Sequence, residues 1–294
     1  MRLFGAGEED NLPGARGSVT ADGMECDMER SVFCDPKFRS IPCVIAIGVF
    51  DGFHLGHQGI VGETVALARE TGARSVVVSF SVNPKTACGS MPPVPALQSA
   101  RSFEEMLANR GVNHHCVIDF SSYMSKLSCE EFIALLCTSY DVRAMVVGNS
   151  FRAGRPPLDE GPDGISRLLC KYTSSAYLKV VPSVSVNGEE ASSSLIRRCL
   201  LTGDLDRTSG LLGRAYSLDL RDSPSGPVFG DAGRKRLFYD VRTLGLFLPK
   251  AGKYVVEATE GSLAVKAVAS VSEDRLALEL PVRMIPDGIT FLGE

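Results

Sequence analysis

The sequence of 294 residues lacks several features that would assign it to a common functional class. It contains no Cys-x-x-Cys pair and only four histidines, so zinc sites built on the usual ligand spacings are excluded. It has no block of basic residues and a net charge of −4, which argues against nucleic acid as a partner. No apolar run is long enough to span a membrane, and the chain does not start with a basic-then-apolar secretion signal.

The nine cysteines are an odd number and are scattered without motif spacing. Four of them, Cys43, Cys137, Cys170 and Cys199, lie in apolar runs, where cysteine behaves as a small hydrophobe. Such thiols are typical of a reducing compartment, so we expect a cytoplasmic protein. The length allows one large domain and a smaller one.

The chain is organised around residues 48–58, Gly-Val-Phe-Asp-Gly-Phe-His-Leu-Gly-His-Gln. The apolar run before them, residues 43–47, predicts a strand buried on both faces, and an amphipathic helix is predicted from about Gly56. His54 and His57 therefore lie at a strand-to-helix junction, where free backbone N–H groups and the helix dipole favour phosphate. Gly52 and Gly56 allow phosphates to approach the backbone closely. This pattern is typical of nucleotidyltransferases, which catalyse attack on the α-phosphate of a nucleoside triphosphate.

Two other interpretations apply to the histidine pair. It could form half of a metal site, but the helix offers no third ligand at a matching spacing. One histidine could instead simply cap the helix.

Strand and helix signals alternate from residue 43 to about residue 213, with strands predicted at residues 43–47, 75–80, 116–118, 144–148 and 177–181. Ser102 and Ser128 each open a capping box at a helix start. Repeated β–α units of this size imply an α/β fold, a parallel sheet with helices on both faces. Ligands of such sheets bind beyond the carboxyl ends of the strands, and residues 48–58 directly follow a strand.

The chain divides into three parts. Residues 1–38 are acidic, aperiodic and interrupted by glycine, so we expect a poorly ordered N-terminal extension. Residues 39–213 form the α/β domain, and residues 214–294 form a small β-rich domain in which residues 263–271 and 276–281 alternate as strands do.

A second chemical stretch follows a turn at Asn187-Gly188. Three serines, Ser192 to Ser194, open a predicted helix, and Arg197 lies three residues after Ser194 on the same face. Capping explains one serine, and a plain capped helix with a solvated arginine is the simple alternative. Hydroxyls, amides and a guanidinium that converge on one anion would use all of these residues.

A third stretch, residues 147–155, follows the strand at 144–148. Gly148 and Gly154 allow close backbone approach, and Phe151 could stack on a flat ring. An ordinary glycine loop with a core phenylalanine is the alternative.

Together and in this order, the three stretches resemble the adenylyltransferase half of the bacterial bifunctional riboflavin kinase/FMN adenylyltransferase family, also called FAD synthetase. Residues 48–58 match its Gly-x-Phe-Asp-Gly-x-His-x-Gly-His-Gln pattern, and residues 192–197 resemble its Ser-Ser-Thr-x-Ile-Arg motif. The loop at 148–154 resembles its Gly-x-Asp/Asn-Phe-x-Phe-Gly loop, and the likeness runs from about residue 44 to residue 216.

The resemblance implies a Rossmann-like nucleotidyltransferase that transfers AMP from ATP to FMN, giving FAD and pyrophosphate, with Mg²⁺ bridging phosphates. By the same resemblance, His54, His57 and Arg197 would be catalytic. The nucleotide would be bound by Gly48, Phe50, Asp51, Gly52, Gly56, Ser193 and Ser194. The flavin would be bound by Asn83, Asn149, Ser150 and Phe151.

The sequence departs from the family at several positions. Ser81 stands where the family usually has aspartate, Asn83 where histidine or arginine is common, and Ser150 where it has Asp/Asn. Residues 230–234 resemble the entry to the family's kinase domain only faintly, and the Pro-Thr of its Gly-x-Pro-Thr-x-Asn motif is absent. We therefore expect a shortened β domain without riboflavin kinase activity.

The sequence is also compatible with two alternative functions. The same fold could act on another phosphorylated acceptor, such as phosphopantetheine or nicotinate mononucleotide. The lost kinase motif, Ser81 and Ser150 would also suit a non-catalytic flavin- or nucleotide-binding regulator.

Overall fold

The structure, a computed structural model, describes residues 18–19, 25–26, 28–87, 89, 92–119, 123–155, 158–223, 235–281 and 284–293. Its strands are β1 (Ser18–Val19), β2 (Glu25–Cys26), β3 (Glu29–Val32), β4 (Pro42–Ile47), β5 (Arg74–Phe80), β6 (His114–Ile118), β7 (Asp141–Gly148), β8 (Tyr177–Val181), β9 (Ser185–Val186), β10 (Glu189–Glu190), β11 (Ser217–Asp219), β12 (Lys235–Asp240), β13 (Gly252–Glu260), β14 (Leu263–Val271), β15 (Arg275–Leu280) and β16 (Gly288–Phe291). Its α-helices are α1 (Leu55–Thr71), α2 (Pro84–Ala87), α3 (Ala100–Ala108), α4 (Cys129–Ser139), α5 (Pro162–Tyr172), α6 (Ser193–Thr202), α7 (Leu205–Leu212) and α8 (Val241–Leu244). Short 3-10 helices cover Pro36–Arg39 and Met124–Lys126.

Six strands form a parallel sheet in the order β3-β6-β5-β4-β7-β8. From β4 the chain adds β5 and β6 on one side, and it then returns to add β7 and β8 on the other. The strand order therefore reverses between β4 and β7, which is where an open sheet leaves a crevice for a ligand. The predicted Rossmann-like α/β fold is confirmed.

Successive side chains of the central strands point to opposite helix layers, as the period of a strand requires. Ala46 of β4 and Val77 of β5 pack in a core with α1 and α3. Ile45 and Val76 pack in the other core, with α4 and α5. Because both faces of β4 and β5 are covered by apolar side chains, the sequences of these strands are nearly continuous hydrophobic runs.

The C-terminal sheet is antiparallel, in the order β11-β16-β13-β14-β15-β12. Its inward side chains, such as Leu218, Val256 and Leu278, share one core with Leu195 of α6 and Leu211 of α7. The predicted β-rich C-terminal region is confirmed, and its core is continuous with the last two helices of the α/β region.

Two local predictions need correction. Residues 29–32 were expected within a poorly ordered extension, but β3 pairs in parallel with β6 along its whole length. Most of residues 1–27 lie outside the described part of the chain. The helix predicted to open at Ser102 is capped instead by Ser99, whose hydroxyl accepts a hydrogen bond from the Ser102 amide at 3.0 Å. The capping box at Ser128 is confirmed, with Glu131 reaching back to it.

Candidate active site

An open cleft of about 810 Å³ lies at the carboxyl end of the parallel sheet. The turn after β4, the loop after β7 and the start of α6 form its walls. The structure brings together in this cleft every site residue that the sequence singled out except Gly52. Gly52 has φ +80°, in the left-handed region, and an added Cβ would come within 2.8 Å of Leu97 Cδ1. Glycine at this position is thus needed for the packing of the turn, and its part in the approach of a phosphate stays a prediction.

His54 and His57 stand side by side at the start of α1. Their ring centroids are 3.6 Å apart and the rings are stacked at 27°. His54 occupies the N-cap position, but its side chain makes no capping hydrogen bond, so the simple capping interpretation fails for it. A Cβ on Gly56 would come within 3.2 Å of the His54 ring, which means that Gly56 leaves room for that ring.

Both histidines are held in the neutral state. Burial lowers the pKa of His54 to about 4, and the positive charge of Arg214 adds to the effect. Burial and the neighbouring His54 lower the pKa of His57 well below its usual value. The Nδ1 atoms of both rings are buried and have no hydrogen-bond partner among the described residues. An unpartnered buried polar atom costs free energy, so each Nδ1 atom carries a desolvation cost that no described contact offsets.

Asp51 and Arg197 tie the turn after β4 to α6. Arg197 Nη2 lies 2.5 Å from Asp51 Oδ2, and the Leu97 amide donates to Asp51 Oδ1 at 2.8 Å. Ser193 Oγ donates to the Asp51 carbonyl at 2.8 Å. The Asp51 carboxylate is thus engaged within the protein and sets the position of Arg197, whose buried Nε has no partner among the described residues.

The serines at the start of α6 have separate roles. Ser192 caps the helix, accepting from the Leu195 amide at 3.2 Å. The Ser193 hydroxyl proton is committed to Asp51, whereas Ser194 is exposed at the cleft. Ser194 and the first backbone amides of α6 are therefore the groups that can contact an anion directly.

The loop after β7 forms the opposite wall. Asn149 and Ser150 are exposed, and Phe151 is half-buried against the core of the α4 and α5 layer. Gly154 has φ +94°, and a Cβ there would lie 2.3 Å from the Cys129 amide nitrogen. The loop can therefore follow this path only with glycine at 154.

At the end of β5, Ser81 and Asn83 differ in their relation to the cleft. Asn83 lines it, whereas the Ser81 hydroxyl points to Asp119, at 3.4 Å from Oδ1. A carboxylate is thus present at this edge of the sheet, from the end of β6.

Sequence reasoning did not assign a role to Arg214 or Gln58. Arg214 donates to the carbonyls of Gly52 at 3.0 Å and Phe53 at 3.2 Å. Gln58 donates to the Phe53 carbonyl at 2.9 Å and to the Leu212 carbonyl at 2.7 Å. Phe53 has a positive φ of 40°, and these bonds hold that strained turn beneath His54. Partners so distant in sequence leave no local pattern.

No helix within the described ranges is long and apolar enough to cross a membrane. Among the same residues, no group of three His, Cys, Asp or Glu side chains could hold a metal ion.

A histidine pair at a helix start and an arginine-bearing helix, facing each other at the switch point of a parallel sheet, define an enzyme of the nucleotidyltransferase class. The sequence model of the FAD synthetase family matches residues 37–195. The chain belongs to the FAD synthetase family.

Individual relatives agree with this assignment. A FAD synthetase of Listeria monocytogenes is 30% identical over 182 residues, which cover 62% of this chain and 72% of that protein. A bifunctional riboflavin kinase/FMN adenylyltransferase of the same organism is 25% identical over 269 residues, covering 88% of this chain and 82% of the relative. A crystal structure titled macrolide-efflux protein, from Streptococcus pneumoniae, covers 90% of this chain and 89% of its own, with a TM-score of 0.73 and 23% identity. That last likeness concerns the fold alone.

Proposed function

We propose that this chain is an FMN adenylyltransferase, which joins FMN to the AMP part of ATP and releases pyrophosphate. The observation that supports it best is the stacked pair of His54 and His57, which lines the same cleft as Arg197. A triphosphate bound in the cleft would accept hydrogen bonds from both rings. The family membership makes FMN and ATP the expected substrates.

The FMN phosphate is the nucleophile and is already an anion at neutral pH, so the reaction needs no general base. Its oxygen attacks the α-phosphorus of ATP while the bond to the β-phosphate oxygen breaks. The task of the protein is to align the two phosphates and to stabilise the charge on the equatorial oxygens. Each neutral imidazole has one N–H to donate to an α- or β-phosphate oxygen, and the first amides of α1 add further donors.

The leaving pyrophosphate is held at the start of α6. Arg197 offers its Nε–H, which has no partner in the described part of the chain, and Ser194 offers its hydroxyl. Ser193 takes part through its amide, since its hydroxyl already bonds to Asp51. On the opposite wall Phe151 stacks on the isoalloxazine ring, and Asn83, Asn149 and Ser150 provide polar contacts to FMN.

Magnesium would accompany the triphosphate. The described side chains do not form a three-ligand metal group, and Asp51 is occupied by Arg197 and Leu97. This donor set suits an ion held mainly by phosphate oxygens and water, which is the usual state of Mg²⁺ at such sites. The ion, when bound, would neutralise phosphate charge.

We also propose that the chain has no riboflavin kinase activity and acts in the cytoplasm. The sequence has no Pro-Thr pair, and residues 230–234, which resemble the entry to the kinase domain, lie outside the described residues. The seven cysteines whose state is described are free thiols, in keeping with a reducing compartment. The proposed division is a nucleotidyltransferase domain, 39–213, to whose sheet β3 also belongs, and a shortened β domain, 214–294. The N-terminal extension predicted for residues 1–38 would accordingly end before β3.

Incubation of the purified chain with ATP, Mg²⁺ and either FMN or riboflavin, followed by separation of the flavins, tests these proposals. FAD from FMN is expected, and no FMN from riboflavin. FAD absent from an otherwise folded protein would refute the adenylyltransferase proposal, and FMN made from riboflavin would refute the absence of the kinase. Phosphopantetheine and nicotinate mononucleotide serve as competing acceptors.

A further inference from the structure

A segment of the C-terminal β region runs alongside the polypeptide that supports the active site. The Ala96 amide donates to the Gly245 carbonyl at 3.0 Å, and the Phe247 amide donates to the Ala96 carbonyl at 2.8 Å. The two segments thus form a short parallel bridge between Ala96 and Leu246. Leu97 and Leu246 are both buried in the same core.

The residues on either side of Ala96 hold the two members of the Asp51–Arg197 pair. The Leu97 amide donates to Asp51 Oδ1 at 2.8 Å. The Pro95 carbonyl accepts from Arg197 Nη2 at 3.0 Å. A displacement of the bridge would therefore move both a carboxylate contact and a guanidinium contact at once.

Phe247 adds a direct contact with Arg197. The guanidinium carbon of Arg197 lies 5.6 Å from the centroid of the Phe247 ring, within the range of a cation–π interaction. Phe247 is itself fixed through its backbone, because Tyr216 Oη donates to its carbonyl at 2.5 Å. Tyr216 is buried beside β11, so the position of the ring is set by the C-terminal sheet.

We propose that Phe247 is a positioning residue for nucleotidyl transfer, and that the C-terminal β region orients Arg197 toward the pyrophosphate group. The inference rests on the proposed function, which gives Arg197 that role. It assigns to the shortened β region a task in the adenylyltransferase site, independent of any kinase chemistry. The ring face limits the directions that the guanidinium can take. Asp51 and Pro95 occupy Nη2, whereas Nε has no partner within the described ranges.

Phe247→Ala tests the proposal in the full chain. The loss of a cation–π contact of this kind corresponds to a change of roughly 3- to 30-fold in a kinetic or binding constant. We expect this loss in kcat/KM for ATP in the forward reaction, and a similar rise in the KM for pyrophosphate when FAD is converted back. The KM for FMN should stay unchanged, because Arg197 does not contact the acceptor. Phe247→Tyr keeps the ring face and should restore the parental values.

Phe238→Ala is the matched control. It removes another phenylalanine–arginine contact, in which Arg275 lies 5.3 Å from the ring centroid, and neither of these two residues lines the cleft. We expect parental kinetics for it. Phe247→Leu provides a second test if the alanine variant fails to fold, since leucine keeps the apolar volume but has no ring face.

The outcomes separate the two proposals. Parental pyrophosphate and ATP constants in a folded Phe247→Ala or Phe247→Leu protein would overturn the positioning role, as would an equal loss in Phe238→Ala. A loss confined to the KM for FMN would also overturn it. A parent chain that forms no FAD would instead refute the proposed function.

Discussion

His54 and His57 stack with ring centroids 3.6 Å apart, yet neither Nδ1 has a protein partner among the described residues. Two buried imidazoles at this distance cannot both be charged in the free protein, and their pKa values are lowered accordingly. The negative charge of a bound triphosphate would favour hydrogen-bond donation from both rings and so oppose the lowering of their pKa values. The histidine pair is therefore suited to binding a polyphosphate.

We expect His57→Ala to abolish adenylyl transfer while the fold is kept. The side chain lies at the start of α1 and lines the cleft, so thermal unfolding should occur within a few degrees of the parent. The loss of one such charge-stabilising donor costs ~10²–10³ in rate. Steady-state FAD formation measures the loss of adenylyl transfer, and calorimetry measures the thermal unfolding.

His114→Gln is a suitable control for this variant. The Nδ1 of His114 is also buried and has no hydrogen-bond partner among the residues that the structure describes, but His114 lies on β6 beside Glu29 and does not line the cleft. FAD formation should stay near the parental rate. A His57→Ala protein that is unfolded, or as active as the parent, would return His57 to a structural role.

The lowered pKa of His54 predicts a loss of stability in acid. The unfolded chain binds the proton near pH 6.5 and the folded chain near pH 4, so between these values the unfolded state holds more protons. The free energy of unfolding therefore falls as the pH drops through this window, and this histidine has no such effect above it. The expected contribution reaches roughly 2 kcal/mol at about pH 5.

Urea denaturation of the parent and of His54→Gln at about pH 7 and about pH 5 measures this contribution. The variant should lose less stability than the parent over that interval. Equal losses in both proteins would show that His54 titrates normally in the folded state.

The fold was predictable where the chain repeats local patterns. The apolar run at 43–47 and the capping box at Ser128 specify their elements through neighbouring residues alone, and both occur as expected. The edge strand β3 was missed because Glu29–Val32 carries two charged residues and gains its place only by pairing with β6.

The candidate site shows the same division between local and distant information. His54 and His57 were found because strand, glycine turn and helix follow each other directly. The partners of Asp51 could not be found, since Leu97 and Arg197 are 46 and 146 residues away. The contact of Phe247 with Arg197 depends on the C-terminal region packing against α6, which no motif records.

Asp51→Ala should reduce both stability and activity. The substitution removes the acceptor of Arg197 and of the Leu97 amide, and these groups are only slightly exposed. We expect a loss of roughly 1–3 kcal/mol in the free energy of unfolding. Because Arg197 is then free to turn away, pyrophosphate should bind more weakly as well. Denaturant titration and pyrophosphate inhibition measure the two effects.

Glu279→Ala provides the comparison for Asp51→Ala. It removes the partner of Arg236 in an ion pair whose side chains are about half exposed. Surface pairs of this kind contribute about 0–1 kcal/mol, so stability should change little and activity not at all. An Asp51→Ala protein that behaves like Glu279→Ala would contradict the linking role of Asp51.

Gly154→Ala should disrupt the loop that carries Phe151, whereas Gly72→Ala should not affect catalysis. Both glycines have positive φ, +94° and +64°, so each substitution carries the backbone cost of roughly 1–2 kcal/mol for a left-handed residue. At Gly72 a new Cβ meets nothing within 4 Å, but at Gly154 it would lie 2.3 Å from the Cys129 amide nitrogen. The loop must therefore shift away from the start of α4, and Asn149, Ser150 and Phe151 would shift with it. We expect a greater loss of stability than for Gly72→Ala and a raised KM for FMN with the KM for ATP little changed. Equal unfolding free energies for the two variants, or equal FMN constants, would show that the loop does not need this path.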